Sequence, residues 1–206
     1  MKKYLLVLVA CLTCMLNSQA RTTFWDSSRG KPVTIGIRAG LNVSDYTSDL
    51  GNGKSALCGF VGGFNVDLGI VKSLSINTGL YATMMGASWD MGSTHVKDRP
   101  WYLRIPAQAS YRLNITRAVQ WQLNFGPYFG FGVGGKHFYS YPGGKSTATY
   151  FGDHCNVFDF GLGLGTGFTI KKFYVGLGYD FGLTDVYDNV DGKNGNFHLS
   201  VGFNFL

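Results

Sequence analysis

The sequence predicts an all-β fold, an eight-stranded antiparallel up-and-down transmembrane β-barrel with short periplasmic turns and long extracellular loops. Composition is the first observation behind this prediction: the 206 residues include 30 Gly, 16 Phe and 12 Tyr, and none of the acidic residues is Glu. Such a chain forms helices poorly and strands and turns well. The second observation is a regular alternation of apolar with small or polar residues, and the third is an alternation in the lengths of the connecting segments.

Eight segments carry the alternation, whose period is that of a β-strand and not that of a helix. In FDFGLGLGTGFTI (158–170), nearly every second residue is bulky and apolar, and most of the residues between are glycine. The pattern is equally clear in four other segments, 33–44, 119–134, 172–183 and 196–206. It is less regular in three more, 60–70, 73–85 and 103–113.

The apolar face of these strands is predicted to point outward, into lipid. The opposite face is mostly Gly, Ser, Thr, Asn and Gln with few lysines, which is unlike a surface exposed to water. The interior of an eight-stranded barrel is only just filled by side chains, so it cannot hold the Phe, Leu, Val and Ile of all eight segments. A soluble lipocalin-like barrel is disfavoured for this reason. A strand of about 11 residues at ~3.3 Å each, tilted by roughly 40–45°, spans about 25–28 Å, which matches the lipid-facing band.

The connections alternate between short turns and long polar, Gly-rich segments, as they do in outer-membrane barrels, where the short turns face the periplasm. The short ones lie near 71–73, 114–118 and 171–172. The long ones lie near 44–56, 89–99, 135–154 and 185–195. The barrel domain is therefore predicted to comprise residues 33–206, with both of its ends on the periplasmic side.

The N-terminus has the features of a cleaved secretory signal peptide, predicted over residues 1–20. Two lysines precede an apolar run of roughly a dozen residues, and the small residues Ser18 and Ala20 suit signal peptidase. A buried helix of the mature domain and a lipoprotein signal ending at Cys11 are the alternatives. Residues 21–32 are polar and are predicted to be an unpaired lead-in. After residue 20, no stretch approaches the ~18–20 uninterrupted apolar residues of a transmembrane helix.

Four segments, LRIPAQASYRL, LNFGPYFGFG, FDFGLGLGTGF and the closing LSVGFNFL, resemble the small outer-membrane β-barrel domain family of Bacteroidota, whose members are described as porin-like or PorT-like. The resemblance covers essentially the whole mature chain. It implies the fold and an outer-membrane location, but no single activity, because the family is a structural class. It also implies that Phe203 and Phe205 form a C-terminal insertion signal for the barrel-assembly machinery, although the chain ends on Leu206 where such barrels usually end on an aromatic residue.

The phase of the strands sends a set of charged residues into the lumen, where three arginines balance three aspartates. These residues are Arg38, Asp67, Arg104, Arg112, Asp159, Asp180 and His198. Arg104 is predicted to reach across the lumen and hold both Asp159 and Asp180. A structural salt-bridge core that plugs the barrel is the favoured interpretation, and a gate or proton path is the alternative.

Two further groups of residues are predicted to lie near the membrane boundaries. Cys58 and Cys155, at the outer ends of two strands, could form a disulfide in a secreted protein or stay as separate thiols. Six aromatic residues are predicted to form girdles where the strands cross the membrane surfaces. These are Tyr111, Trp121 and Phe173 at the periplasmic side, and Trp89, Trp101 and Tyr102 at the outer side.

The favoured function is that of a non-enzymatic outer-membrane protein, whose barrel is an anchor and whose surface loops support envelope integrity or bind a partner. Its expected partners are outer-membrane lipid, the barrel-assembly machinery and a surface protein. A narrow porin-like diffusion channel is the alternative. A barrel-rim hydrolase is the third hypothesis, and it rests on loop histidines near aspartates: His95, His137 and His154 with Asp90, Asp98 and Asp153.

No cofactor, no metal and no nucleic acid is expected. The rim histidines and aspartates show no specific spacing of a nucleophile and a base. The glycines of GLGLGTG (161–167) lie inside a predicted strand and not before a helix, so they do not indicate a nucleotide site. The basic residues are scattered along the chain, which does not favour binding of nucleic acid.

Overall fold

The computed structural model describes residues 33–47, 54–71, 73–91, 93–151, 155–187 and 190–205, and all regular secondary structure within these ranges is β-strand. No helix in the described part of the chain is long and apolar enough to cross a membrane. The predicted signal peptide (1–20) and lead-in (21–32) lie outside the described residues.

Ten strands run in chain order. They are β1 (Val33–Tyr46), β2 (Lys54–Val71), β3 (Leu74–Met84), β4 (Ala87–Met91), β5 (Thr94–Asn114), β6 (Val119–Tyr141), β7 (Gly144–Thr149), β8 (Phe158–Ile170), β9 (Phe173–Tyr187) and β10 (Val190–Asn204).

Eight of these strands close into an antiparallel barrel, which confirms the predicted fold. The ring runs β1–β2–β3–β5–β6–β8–β9–β10, and it closes because β10 pairs with β1 over eleven successive residue pairs from Gly36–Asn204 to Tyr46–Asn194. Closure leaves no unpaired edge in the eight-stranded ring, and a strand within a lipid bilayer could not tolerate such an edge. Each strand neighbours the next one in the ring, as in an up-and-down barrel.

The side chains alternate between an apolar outer face and a polar lumen. On β1, for example, Ile37 and Leu41 are exposed, whereas Arg38 and Asn42 are buried. The same alternation holds on β8 and β9, where glycines or polar residues take the inward positions. Buried polar residues with exposed apolar ones are the reverse of a soluble protein, and they match a wall whose surroundings are lipid.

Two additional hairpins extend the barrel at one end. The strand β4 pairs with β2 and β5 above β3, and β7 pairs with the end of β6. The β6–β7 turn contains Pro142 and Gly143, and Gly143 has a φ of 111°, as expected for a Pro-Gly turn. The segments predicted as long loops at 89–99, 135–154 and 185–195 are therefore largely paired strands.

The physical reason for this difference is a reversal of the alternation. Above the apolar belt of β5, the buried residues include Val96 and Pro100, whereas the exposed ones are Lys97 and Arg99. The apolar residues now point inward, so a search for an outward apolar face misses the strand. The opposite end of the barrel has short turns, such as Lys171–Lys172, and it holds the first residue of β1 and the last of β10.

Candidate functional site in the lumen

The lower lumen, nearer the short turns, contains an ion cluster built around one carboxylate. Asp67 on β2 accepts from Arg112 of β5 at 2.5 Å, and an Nη of Arg38 on β1 lies 4.0 Å from it. The amides of Asn65 and Asn77 donate to the same carboxylate at 2.9 and 2.6 Å. Five side chains from four strands thus meet across the lumen, and all of them are buried.

Arg38 is held in place by an aromatic ring as well as by charge. Its guanidinium lies 3.6 Å from the centre of the Tyr174 ring on β9, a cation–π distance. Since Asp67 faces two arginines, this cluster carries a net positive charge. A single carboxylate therefore keeps two buried cations from being left unpaired, which would cost several kcal/mol.

The upper lumen contains a second ion cluster with the same construction. Arg104 on β5 donates to Asp180 on β9 at 2.6 Å, and its guanidinium lies 3.7 Å from the centre of the Tyr128 ring. Asn196 donates to the same oxygen of Asp180 at 3.1 Å, and a ring nitrogen of His198 lies 3.3 Å from it. An Arg–Asp pair stacked on a tyrosine therefore occurs twice, once at each level.

Asp159 lies beside the upper cluster, but it is not the hydrogen-bonding partner that the sequence suggested. Arg104 and Asp159 flank the same residue, Gly130, on neighbouring strands. Asp159 accepts from Asn194 at 3.1 Å and from Thr184 at 3.5 Å. Arg104 donates its hydrogen bond to Asp180 instead. The prediction that Arg104 binds both carboxylates is therefore corrected to binding of Asp180 alone.

A cavity of about 90 Å³ separates the two clusters. Arg38 and Tyr174 line it from the lower side, and Arg104 and Tyr128 from the upper side. The Nε atoms of both arginines are buried and have no hydrogen-bond partner among the described protein groups. A polar cavity of this size has room for several water molecules, which would satisfy such donors.

The outer end of the lumen is filled by aromatic side chains. Tyr46 and Tyr150 are both 1 % exposed, and their hydroxyls are 2.7 Å apart. Burial raises the pKa of the Tyr150 phenol well above its ordinary value. The cluster also contains Ala87 and Val186, and further residues pack against it: Trp89, Phe151, Cys155 and Tyr187.

A carboxylate is buried under this aromatic cluster. Asp98 is fully buried, accepts from the Tyr187 hydroxyl at 2.8 Å and lies 2.5 Å from Nδ1 of His137. The His137 ring stacks on Tyr150 with 4.7 Å between the ring centres. Asp98 and His137 therefore tie β5 to β6 on the inner side of the sheet and are enclosed by aromatic rings.

The other groups predicted at the rim do not join this pair. His95 contacts Asp90 on the exposed hairpin β4–β5, whereas Asp153 and His154 lie outside the described residues. Within the described ranges, no group of three or more His, Cys, Asp or Glu residues is placed to hold a metal ion.

The predicted outer girdle is wrong for two of its three residues. Tyr102 is 1 % exposed and packs against Phe151 inside the barrel, and Trp89 packs against Tyr46. Trp101 alone of the three is exposed. The sequence contained a signal for Tyr102 that was missed. Arg104 was predicted to point inward, and because side chains alternate along a strand, Tyr102 must point inward too.

Cys58 and Cys155 do not form a disulfide with each other. Cys58 is exposed on β2, opposite Val43. The backbone of Cys155 forms an isolated β-bridge with Tyr187 of β9, and its side chain packs against the aromatic cluster. The strands β1 and β10 separate β2 from β9 around the ring, and the two thiols lie on different faces of the wall. Of the two alternatives that the sequence left open, the structure therefore has the separate thiols.

The C-terminal aromatics lie on the outer face at the end with the short turns. The Phe203 ring lies 5.4 Å from Phe173 and 5.7 Å from Phe205, measured between centres. Phe205 remains paired to the barrel through its amide, which donates to the carbonyl of Ile35. The last strand therefore presents an aromatic patch where the chain leaves the barrel.

Comparison with known proteins identifies the class of this barrel. Residues 17–188 match the family described as outer membrane protein beta-barrel domain. The structure is similar to neisserial surface protein A, with 14% identity over 85% of this chain and 100% of that one, and a TM-score of 0.48. It is also similar to Ail of Yersinia pestis, solved with sucrose octasulfate, with 16% identity, 85% and 100% coverage and a TM-score of 0.46. It is similar as well to OprG of Pseudomonas aeruginosa, with 12% identity over 85% of this chain and 97% of that one, and a TM-score of 0.46.

These structural likenesses concern the fold alone. Among proteins with curated descriptions, no sequence matches this chain.

Proposed function

Because the chain belongs to the outer membrane protein beta-barrel domain family and lies in the outer membrane of a Gram-negative bacterium, we propose that it is a closed, non-enzymatic barrel. In this proposal, the barrel anchors the projecting hairpins β4–β5 and β6–β7 at the cell surface. The hairpins support envelope integrity or present a surface to a partner.

The observation that carries this proposal is the pair of ion clusters that cross the lumen. In the lower cluster, Arg38 and Arg112 meet Asp67 from opposite sides, and in the upper one Arg104 reaches Asp180. Ions would have to displace these contacts in order to pass. The aromatic cluster at the outer end adds a third obstruction.

A narrow porin-like channel is the second candidate, and the cavity between the clusters favours it. A water-filled space of about 90 Å³ would form the middle of a conducting path if both ion clusters and the aromatic cluster opened. Opening one cluster alone would not create such a path, because the other cluster and the aromatic residues would still block the lumen.

Planar-bilayer recording of the purified protein separates the two candidates. We expect no steady conductance from the wild type. The triple variant Asp67→Ala/Asp180→Ala/Tyr150→Ala should admit small ions, because it removes the central carboxylate of each ion cluster and one ring of the aromatic cluster at the outer end. A large and stable wild-type conductance would contradict the closed barrel and would establish the channel instead.

Two narrower proposals rest on sequence alone. The first is membership among the porin-like or PorT-like proteins of Bacteroidota, which rests on the resemblance of the strand segments. The second is that Phe203 and Phe205 direct insertion by the barrel-assembly machinery. The test is the yield of heat-modifiable, folded barrel in cells, which should fall in Phe203→Ala and Phe205→Ala but not in Phe173→Ala, which changes the same aromatic patch on another strand.

A further inference from the structure

The hairpins β4–β5 and β6–β7 form a projecting sheet at the outer end of the barrel. Its outer face carries three exposed cations that form a strip. Lys97 and Arg99 lie on β5, and Lys136 lies on β6. We call these three residues the basic strip. They project outward, because the neighbouring pair, Asp98 and His137, lies on the inner side.

Two of these cations are direct neighbours across the strands. Arg99 pairs with Lys136 in the antiparallel register of β5 and β6, and both side chains point to the same face. Like charges directly opposite each other destabilise a strand pair. A bound anion between them would remove that repulsion.

No carboxylate in the described ranges forms an ion pair with any residue of the basic strip. The nearby exposed acid, Asp90, contacts His95. The other side of the rim is different, because Lys193 of β10 is opposite Asp185 of β9 in the register. Among the described rim residues, the cations without a facing carboxylate therefore lie together on the β5–β6 side.

The basic strip begins immediately above the apolar belt. Trp101 pairs with Gly134, and the next outward pair along the strands is Arg99 with Lys136. Trp101 is 39% exposed and Val133 is 59% exposed, so the apolar outer face of the wall continues up to this level. Arg99 is two residues beyond Trp101 on a tilted strand, so it lies roughly 5 Å higher along the barrel axis. Cations at that distance above Trp101 and Val133 are suited to contact lipid headgroups while the apolar residues below contact acyl chains.

We propose that the basic strip binds the phosphate groups of an anionic glycolipid in the outer leaflet of the outer membrane. Arginine and lysine are suited to this role, because guanidinium groups bind phosphate oxygens in pairs and clustered cations attract anionic headgroups. The inference is independent of the closed lumen, since it concerns the outer surface and holds whether or not the barrel conducts.

A lipid fits this surface better than a free anion does. The acyl chains of one lipid would lie along the apolar belt below Trp101, while its phosphates contact Arg99 and Lys136 above. Because the two contacts belong to one molecule, each raises the effective concentration of the other group. Free phosphate lacks the apolar contact and gains nothing from the belt.

The test is binding of two matched glycolipids to the purified barrel in a zwitterionic detergent. One is bisphosphorylated lipid A, and the other is the same molecule without its phosphates. We expect the wild type to bind the phosphorylated form at least twentyfold more tightly. Arg99→Gln and Lys136→Gln should each weaken that binding about fivefold, and Lys193→Gln should leave it unchanged.

Three outcomes would overturn the proposal. Equal affinity for the two glycolipids would mean that only the apolar belt contributes. Equal loss in Lys193→Gln would mean that rim charge acts without a specific site. Competition by inorganic phosphate at the concentration of the glycolipid would indicate a site for free anions. Each variant is compared only after its heat-modifiable gel mobility has shown that the barrel is folded.

Discussion

The two ends of the lumen are filled in opposite ways. At the lower end, Asp67 holds Arg38 and Arg112 in a buried ion cluster. At the outer end, Tyr46 and Tyr150 pack with other apolar side chains and bury little charge apart from Asp98. The lower wall has an apolar outer face, whereas the upper parts of β5 and β6 carry the cations Lys97, Arg99 and Lys136 on theirs.

The difference shows that the surroundings determine which residues lie inside. Where the wall is in lipid, its apolar residues are outside and the lumen receives the polar ones. Where the wall is in water, the usual arrangement returns, with apolar residues inside. The change coincides with a register shift between Trp101 and Tyr102. Below the shift, odd-numbered residues of β6 such as Phe131 face outward, and above it even-numbered ones such as Lys136 do.

The largest effect should come from the lower ion cluster. Replacing Asp67 by Ala leaves Arg38 and Arg112 buried without their carboxylate, and we expect a loss of roughly 3–5 kcal/mol in the free energy of unfolding. Urea unfolding of the barrel in lipid vesicles, followed by tryptophan fluorescence, measures it. Asp90→Ala, which removes an exposed carboxylate, is the control and should cost less than about 0.5 kcal/mol. Similar values for the two variants would mean that the buried cluster does not stabilise the barrel.

Most of the fold could be predicted from the sequence, because lipid imposes a period of two over each crossing strand. The alternation in 158–170 and 33–44 places those strands within a few residues of β8 and β1. The inward direction of Arg104 and Asp180 follows from the same phase. These features depend on local pattern alone, so a single sequence contains them.

The partners within the lumen could not be predicted in the same way. Whether Arg104 contacts Asp159 or Asp180 depends on the stagger of strands around the ring and on the rotamer of a long side chain. The outer hairpins were missed because their alternation is reversed. The pairs Gly92–Ser93 and Pro142–Gly143 were the turn signals there.

The upper ion cluster should give the next largest effect, measured as a coupling. Arg104→Ala and Asp180→Ala should each destabilise the barrel, and the double variant should lose less than the sum, with a coupling of about 1–3 kcal/mol. A parallel cycle with Asp159 in place of Asp180 should give a smaller coupling, because Asp159 takes its hydrogen bonds from Asn194 and Thr184. A larger coupling with Asp159 would reverse the assignment of partners.

A smaller effect is expected from the aromatic end. Tyr150→Phe keeps the ring and removes only the hydroxyl that pairs with Tyr46, so the loss should be about 1 kcal/mol. Tyr46→Phe should cost about the same, and the double variant should cost less than the sum of the two, because the two residues share one hydrogen bond. The same urea unfolding measures all three. A loss as large as that of Asp67→Ala would mean that both ends depend on polar contacts to the same degree.

The smallest effect on stability should come from the outer face, at Cys58. Its side chain is exposed, so Cys58→Ala should change the free energy of unfolding by less than about 0.5 kcal/mol. Cys155 packs against the aromatic cluster, so Cys155→Ala should cost more. A lipid-soluble maleimide should label the folded barrel quickly at Cys58 and slowly at Cys155. The rate at each cysteine is measured in the variant that lacks the other one. Equal labelling rates would mean that the thiol inside the outer end of the lumen is as accessible as the thiol on the outer face. That result would contradict a closely packed aromatic interior at the outer end.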